Sequence, residues 1–184
     1  MDALTLLKTR TSPGQLVEPG PTPEQLNEIL SAGASAPDHG RMQPWRFIII
    51  AGESRMRFGA VMADSLRRRE PTAPAGKIEA EAKKALRAPV IIVVAASVSD
   101  NPKVPAVEQI VAVGAATQNM MLAAHALGYG AFWRTGPVAY DEQVKQALGL
   151  AAEDAVVGIL YLGSIGLVGK PRAPVALDAV SRHW

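Results

Sequence analysis

The sequence predicts one soluble domain of α/β or α+β class, and three observations carry that reading. The chain has 184 residues, close to a prior of about 150 per domain. Hydrophobic residues make up 48% and charged residues 20%, enough apolar material for a core and too little charge for a disordered or coiled-coil chain. Segments of helical spacing alternate with short β-branched runs bounded by Pro and Gly, as when helices pack on a sheet. No internal repeat, low-complexity tract or linker divides 1–184, so the whole chain reads as a single domain.

Asp2 to Arg10 carries Leu4, Leu6 and Leu7 and a basic end, a short helix broken by Thr11-Ser12-Pro13-Gly14. Thr22-Pro23-Glu24-Gln25 is a capping-box pattern with Pro at the first helical position. It starts a helix from Pro23 to about Ala34, whose inward stripe is Leu26, Ile29, Leu30 and Gly33. Trp45 to Ala51 is apolar, β-branched and framed by Pro44 and Gly52, which reads as a buried strand. Residues 53–87 hold 9 basic and 5 acidic side chains and read as two exposed helices around a Pro-rich loop, with Glu79 and Lys83 an i,i+4 pair. Pro89 to Ala96 is a second buried strand.

From Pro105 to Leu127 a long helix is apolar all round and rich in Ala and Gly, as expected of a central helix packed on several sides. His125, on that helix, reads as a packed core residue. Gly128-Tyr129-Gly130 resembles part of a dinucleotide fingerprint, but it ends a helix and starts a strand, the reverse of the required order, so it reads as a helix C-cap. Gly130 to Arg134 is a third strand, Tyr140 to Leu148 a short helix and Ala155 to Leu162 a fourth strand. Residues 163–184, with three Gly and two Pro, read as an irregular tail wrapping a surface.

Composition removes several classes of function. There is no cysteine, hence no disulfide, thiolate zinc site or cysteine nucleophile, as suits a cytoplasmic protein. Net charge is only +2, and the pI near 9.0 reflects a near-balanced titration curve rather than affinity for nucleic acid. The Arg67-Arg68-Arg69 run has acids nearby and no interleaved aromatics, so it reads as a solvated helix face. Residues 109–133 lack formal charge over a membrane-spanning length. The mid-segment Thr117, Gln118, Asn119 and His125 argue against a span. The N-terminus lacks the pattern of a signal peptide.

No metal, phosphate-loop or hydrolase motif is present, which leaves four places with the chemistry of an anionic-ligand site. Arg10-Thr11-Ser12 offers a guanidinium and two hydroxyls, suited to a phosphate or simply to a helix C-terminus. PDHGRMQPW (37–45) places His39, Arg41 and Gln43 in a loop before a strand, either a ligand loop or a plain connection. Trp133-Arg134-Thr135-Gly136 isolates one arginine in an uncharged stretch, and that charge requires Glu108 or a ligand as partner. Lys170-Pro171-Arg172 places two cations in the tail, a solvated pair when considered alone.

Together these places resemble one family. MDALTLLKTRTS, APDHGRMQPWRF, KVPAVEQ, ATQNMMLAAHALGYGAFWRTG and VVGILYLG, in this order and spacing from Met1 to at least Arg172, look like a flavin-dependent nitroreductase of the short, YdjA-type branch. The resemblance implies an α+β nitroreductase-like fold, with a central mixed sheet flanked by helices. It further implies an interlocked homodimer with FMN at each of two interface sites, NADH or NADPH as reductant, and no metal, nucleic-acid or membrane partner. Carried over residue by residue, Arg10, Thr11 and Ser12 contact the ribityl chain and phosphate, and Lys170 and Arg172 complete the phosphate grip. Ser35 and His39 approach from the other subunit, and Trp133, Arg134 and Thr135 line the isoalloxazine.

Hydride transfer through flavin N5 needs no protein acid or base, so no catalytic side chain is implied. Positive charge near N1 and O2 stabilises the electrons received. Larger relatives place a lysine where this chain has Gly14. The expected replacement is Arg134, with an arginine of the 67–69 run second. The implied activity is ping-pong reduction of a nitroaromatic, quinone or other small electrophilic acceptor. The alternative is a flavin-binding module with a storage or regulatory role.

Overall fold

The computed structural model describes residues 2–171, 173 and 175–184. The elements follow the order α1 (Ala3–Thr9), β1 (Gln15–Val17), α2 (Pro23–Ala34), β2 (Trp45–Ala51), α3 (Ser54–Arg69), α4 (Ala75–Lys83), β3 (Val90–Ala96), α5 (Ala106–Ala126), β4 (Gly130–Arg134), α6 (Glu142–Ala147) and β5 (Ala155–Leu167).

Local sequence accounts for most of the boundaries. The Thr22 side chain accepts from the Gln25 N–H while the Gln25 side chain accepts from the Thr22 N–H, so α2 begins with both halves of a capping box, a cap of about 1 kcal/mol. Asp2 caps α1 with its side chain, which accepts from the Thr5 N–H. At the end of α5, Gly128 (φ +86°) takes the left-handed conformation of a helix stop, and the Tyr129 N–H closes back on the Ala124 carbonyl. The pair Lys83–Glu79 forms at 2.6 Å on the exposed face of α4.

The strands form one five-stranded sheet in which β1-β5-β3-β2 run side by side and β4 also pairs with β5. Every pairing among the described residues is antiparallel, so the expected mixed sheet is corrected to an antiparallel one. Side chains alternate across each strand and so build two cores. Ile91, Val93, Ile159 and Tyr161 face Phe58 and Met62 of α3 and Val144 of α6. On the opposite face Ile92, Val94, Leu160 and Leu162 meet Ile29 of α2 and Val113, Met120 and Ala124 of α5. Covered on both faces, β3 is buried at all seven positions, and each of its large side chains contributes about 1.5–3 kcal/mol.

Four expectations need correction. β2 is not a buried strand: it pairs with β3 alone and only Ile50 is buried, because an apolar run does not reveal whether its strand lies at an edge. β5 continues five residues past Leu162, since β1 pairs with Ser164 to Leu167; three residues are too few for β1 to show a period in sequence. α6 starts at Glu142 because the Asp141 carboxylate accepts from the Gln143 and Val144 N–H groups, and a 3-10 turn at Pro137–Tyr140 precedes it. His125 is half-buried rather than core, with Nε2 3.2 Å from the Thr9 hydroxyl, joining α1 to α5. Among the described residues no helix is long and apolar enough to cross a membrane.

Candidate functional site

The site begins where α1 ends. Arg10 is the C-cap residue of α1 and only 7% exposed, yet its Nε and Nη1 find no hydrogen-bond partner among the described residues. A buried cation left in this state is costly unless an anion completes it. Thr11 and Ser12 follow, both half-buried.

The end of β5 returns the tail to this segment. The Gly14 N–H donates to the Leu167 carbonyl at 2.9 Å. At Gly169 an added Cβ would stand 2.0 Å from the Ser12 carbonyl oxygen, so backbone meets backbone and only glycine fits. Lys170, next in the chain, is exposed and makes no ion pair among the described residues. The fold thus brings two of the four segments together, Arg10-Thr11-Ser12 and the stretch entering Lys170. Arg172 lies outside the described residues.

A cleft of about 450 Å³ runs on from this point, with Pro13, Gly14 and Leu16 on one side and Leu86, Arg87, Phe132, Arg134 and Tyr161 closing it. Arg134 lies 4.1 Å over the Phe132 ring. It does not meet Glu108, which is paired with His39 Nδ1 through its Oε2 instead. The third segment divides across the sheet. Phe132 and Arg134 face the cleft, while Trp133 belongs to the α5-side core and donates its indole N–H to the Val157 carbonyl at 3.1 Å. Thr135 lines a smaller cavity beyond Arg134.

The fourth segment stands apart. His39 is exposed and, with Pro37, Val107, Glu108 and Val111, lines an apolar groove of about 330 Å³ that shares no residue with the Pro13-to-Arg134 cleft. Ser35 caps α2 and donates its hydroxyl to the Ala32 carbonyl at 2.8 Å. Within one chain neither residue joins the other three segments.

Sequence reasoning missed Arg87. It follows the 3-10 turn Lys84–Leu86, lines the cleft beside Arg134, and makes no side-chain hydrogen bond or ion pair among the described residues. No local pattern marks it out from eight other basic residues in 53–87, because only the packing of α4 against α3 sets it, still exposed, at the edge of the cleft. The 67–69 run does not supply the cation: none of the three lines the cleft, Arg67 pairs with Asp64 at 2.5 Å, and Arg68 with Asp141 at 3.0 Å. Burial raises the Tyr161 hydroxyl above its ordinary 10.0, against the opposing pull of Arg87 and Arg134.

Comparison with known proteins agrees with this architecture. A family profile described as "Nitroreductase family" matches residues 7–164. The Escherichia coli (strain K12) protein named "Putative NAD(P)H nitroreductase YdjA" is 45% identical over 168 residues, 89% of this chain and 88% of that one. The structure of a nitroreductase-like family protein from Bacillus cereus superposes with a TM-score of 0.89 at 23% identity, covering 100% of this chain and 96% of that one. That of a "putative nitroreductase in complex with fmn" from Desulfovibrio desulfuricans superposes with a TM-score of 0.72 at 26% identity, covering 98% and 96%. A profile match over most of the chain, together with 45% identity to a full-length relative, places this chain in the nitroreductase family.

Proposed function

We propose that the protein is a cytoplasmic FMN-dependent NAD(P)H oxidoreductase that reduces a small electrophilic acceptor such as a nitroaromatic or quinone. The observation that carries this reading is Arg10, a buried guanidinium with two unpartnered nitrogens, three residues before Pro13 and the cleft wall that begins there. A phosphate ester is the anion that satisfies such a group best, by charge-assisted hydrogen bonds. The residues therefore fit FMN. When bound, FMN supplies two-electron chemistry, exchanging a hydride with NAD(P)H and with the acceptor in alternate, ping-pong half-reactions.

The chain's own residues then have separable tasks. Arg10 and Ser12 bind the phosphate, with Lys170 alongside through the Gly169–Ser12 contact. Arg134 places positive charge along the cleft, where larger relatives have the lysine that is Gly14 here. Phe132, Leu16 and Leu86 exclude water. His39 and Ser35 serve the site of a second copy, so that the working unit is a homodimer in which each chain contributes one wall to its partner's site. The exposed Val107 and Val111 beside His39 support this arrangement.

The absorption spectrum of the purified protein tests the reading. A band near about 450 nm that bleaches on anaerobic addition of NADH or NADPH is the expected result. A chain that takes up no FMN on reconstitution is not a flavin enzyme, and a band that both nicotinamides leave unchanged favours the storage or regulatory module.

A further inference from the structure

Beyond the cleft lies a second cavity of about 290 Å³, walled by Met62, Val138 and Ile159 and bearing Lys84, Arg87 and Arg134. The two spaces share Arg87, Arg134 and Tyr161. No residue of 13–16, the segment that begins the cleft, reaches the second.

Three cations face this cavity and one carboxylate, Glu81, which Lys84 already holds at 2.6 Å. Arg134 rests on Phe132. Arg87 is the cation left over: its backbone is fixed by the bond from its N–H to the Lys84 carbonyl, while its guanidinium has no hydrogen bond or ion pair among the described residues. A planar guanidinium whose donors are free, beside apolar walls, matches a flat molecule with an acidic group at one end. The volume sits near the lower limit of about 300–1,000 Å³ for small-molecule sites, so it suits a single ring and not a dinucleotide.

We propose that this cavity binds the electron acceptor, that the acceptor class is single-ring nitroaromatic carboxylates, whose nitro group takes the NAD(P)H-derived hydride and one proton to give the nitroso compound and water, and that Arg87 is the specificity-determining residue that holds the carboxylate. The inference rests on the reading that FMN occupies the adjoining cleft. Lys84 and Glu81 neutralise each other and leave the local field to Arg87 and Arg134. Arg87 thus acts on the acceptor, whereas Arg10 acts on the cofactor.

Calorimetric titration of the protein as purified with benzoate and benzamide, a matched pair that cannot be reduced, tests the assignment. Benzoate is expected to bind about tenfold tighter or more, the effect of one charge-assisted pair. Arg87→Gln should abolish the preference and Arg87→Lys restore part of it. The ratio of kcat/KM for 4-nitrobenzoate over 4-nitrobenzamide should follow the same order.

Equal binding of the two probes by the parent, or a preference that survives Arg87→Gln, overturns the proposal. So does an Arg87→Gln variant whose only change is a shifted flavin spectrum, since Arg87 then serves the cofactor. Failure of the flavin reading shows separately in the absorbance: a protein without flavin that still prefers benzoate through Arg87 retains the acid site and loses the FMN assignment.

Discussion

The wall that carries Arg10 and the face that carries His39 differ in what each leaves unsatisfied. At Arg10 a buried charge lacks an anion; at His39 the ring Nδ1 is met by Glu108, and what remains bare is hydrocarbon, with Val107 and Val111 63% and 65% exposed. The first deficit is of the kind a small ligand removes. The second calls for apolar surface, which a second copy of the chain supplies in the proposed homodimer. One fold therefore carries two half-built regions whose completion requires different things, and substitutions should separate them.

The largest effect is expected at Arg10. Arg10→Met removes the charge and keeps the bulk, so FMN affinity should fall by about a hundredfold or more, the loss of charge-assisted bonds in a buried site. The flavin-free variant should meanwhile be as stable as the flavin-free parent or more so, because an unpaired buried cation has been replaced by a thioether. Flavin fluorescence titration and urea unfolding measure the two quantities. Parental affinity in the variant would remove Arg10 from the phosphate site.

Next is the α5 face. Val111→Glu places a charge in the centre of the exposed patch, and light scattering at micromolar concentration should then give a mass near the 19.4 kDa of one chain in place of about twice that. Loss of the dimer should carry FMN binding with it, although Val111 lines a groove that shares no residue with the Arg134 cleft. A variant that remains dimeric, or a monomer that binds FMN as well as the parent, would mean that the two regions complete themselves independently.

These two regions were also unequally legible in the sequence. α2 could be read to the residue, because Thr22, Pro23 and Gln25 are local signals that the backbone obeys. β3 and α5 were equally plain, one as a β-branched run and the other as a long apolar helix. β1 and the last five residues of β5 were hidden because each exists only through pairing with the other across some 150 residues of chain. The same long-range pairing places Gly169 on Ser12 and so brings the Lys170 stretch to the Arg10 segment. Arg87 stayed invisible for a related reason: nine cations in 53–87 look alike until α3 and α4 pack and set one of them at the edge of the cleft.

A smaller effect is expected away from both regions, at Asp141. Its carboxylate caps α6 through the Gln143 and Val144 N–H groups and takes both bonds from Arg68. Burial raises its pKa, but the hydrogen bonds outweigh burial and hold it below the ordinary 3.8. Asp141→Ala should cost about 1–2 kcal/mol near neutral pH. A depressed carboxylate stabilises the fold above its unfolded-state value and loses that contribution as pH falls through its folded-state value. The gap between parent and variant in urea unfolding should therefore be full above about pH 5 and close at strongly acid pH. A gap that widens in acid would show that the carboxylate is not held in its charged form.

The smallest effect on stability is the sharpest test of the comparison. His39 and Glu108 are an exposed pair, and such pairs contribute about 0–1 kcal/mol. His39→Asn should thus leave unfolding of the flavin-free protein within about 0.5 kcal/mol of the parent. If His39 serves the flavin of the second copy, the same substitution should weaken FMN binding several-fold while the dimer persists. A residue that matters to neither quantity belongs only to the surface of its own chain. One that changes stability and leaves FMN affinity alone belongs to the α5 groove. Only a change confined to FMN affinity ties the exposed face to the buried cation, because within one chain the His39 groove shares no residue with the cleft that begins at Pro13, and it is the proposed assembly that would bring the two to one ligand.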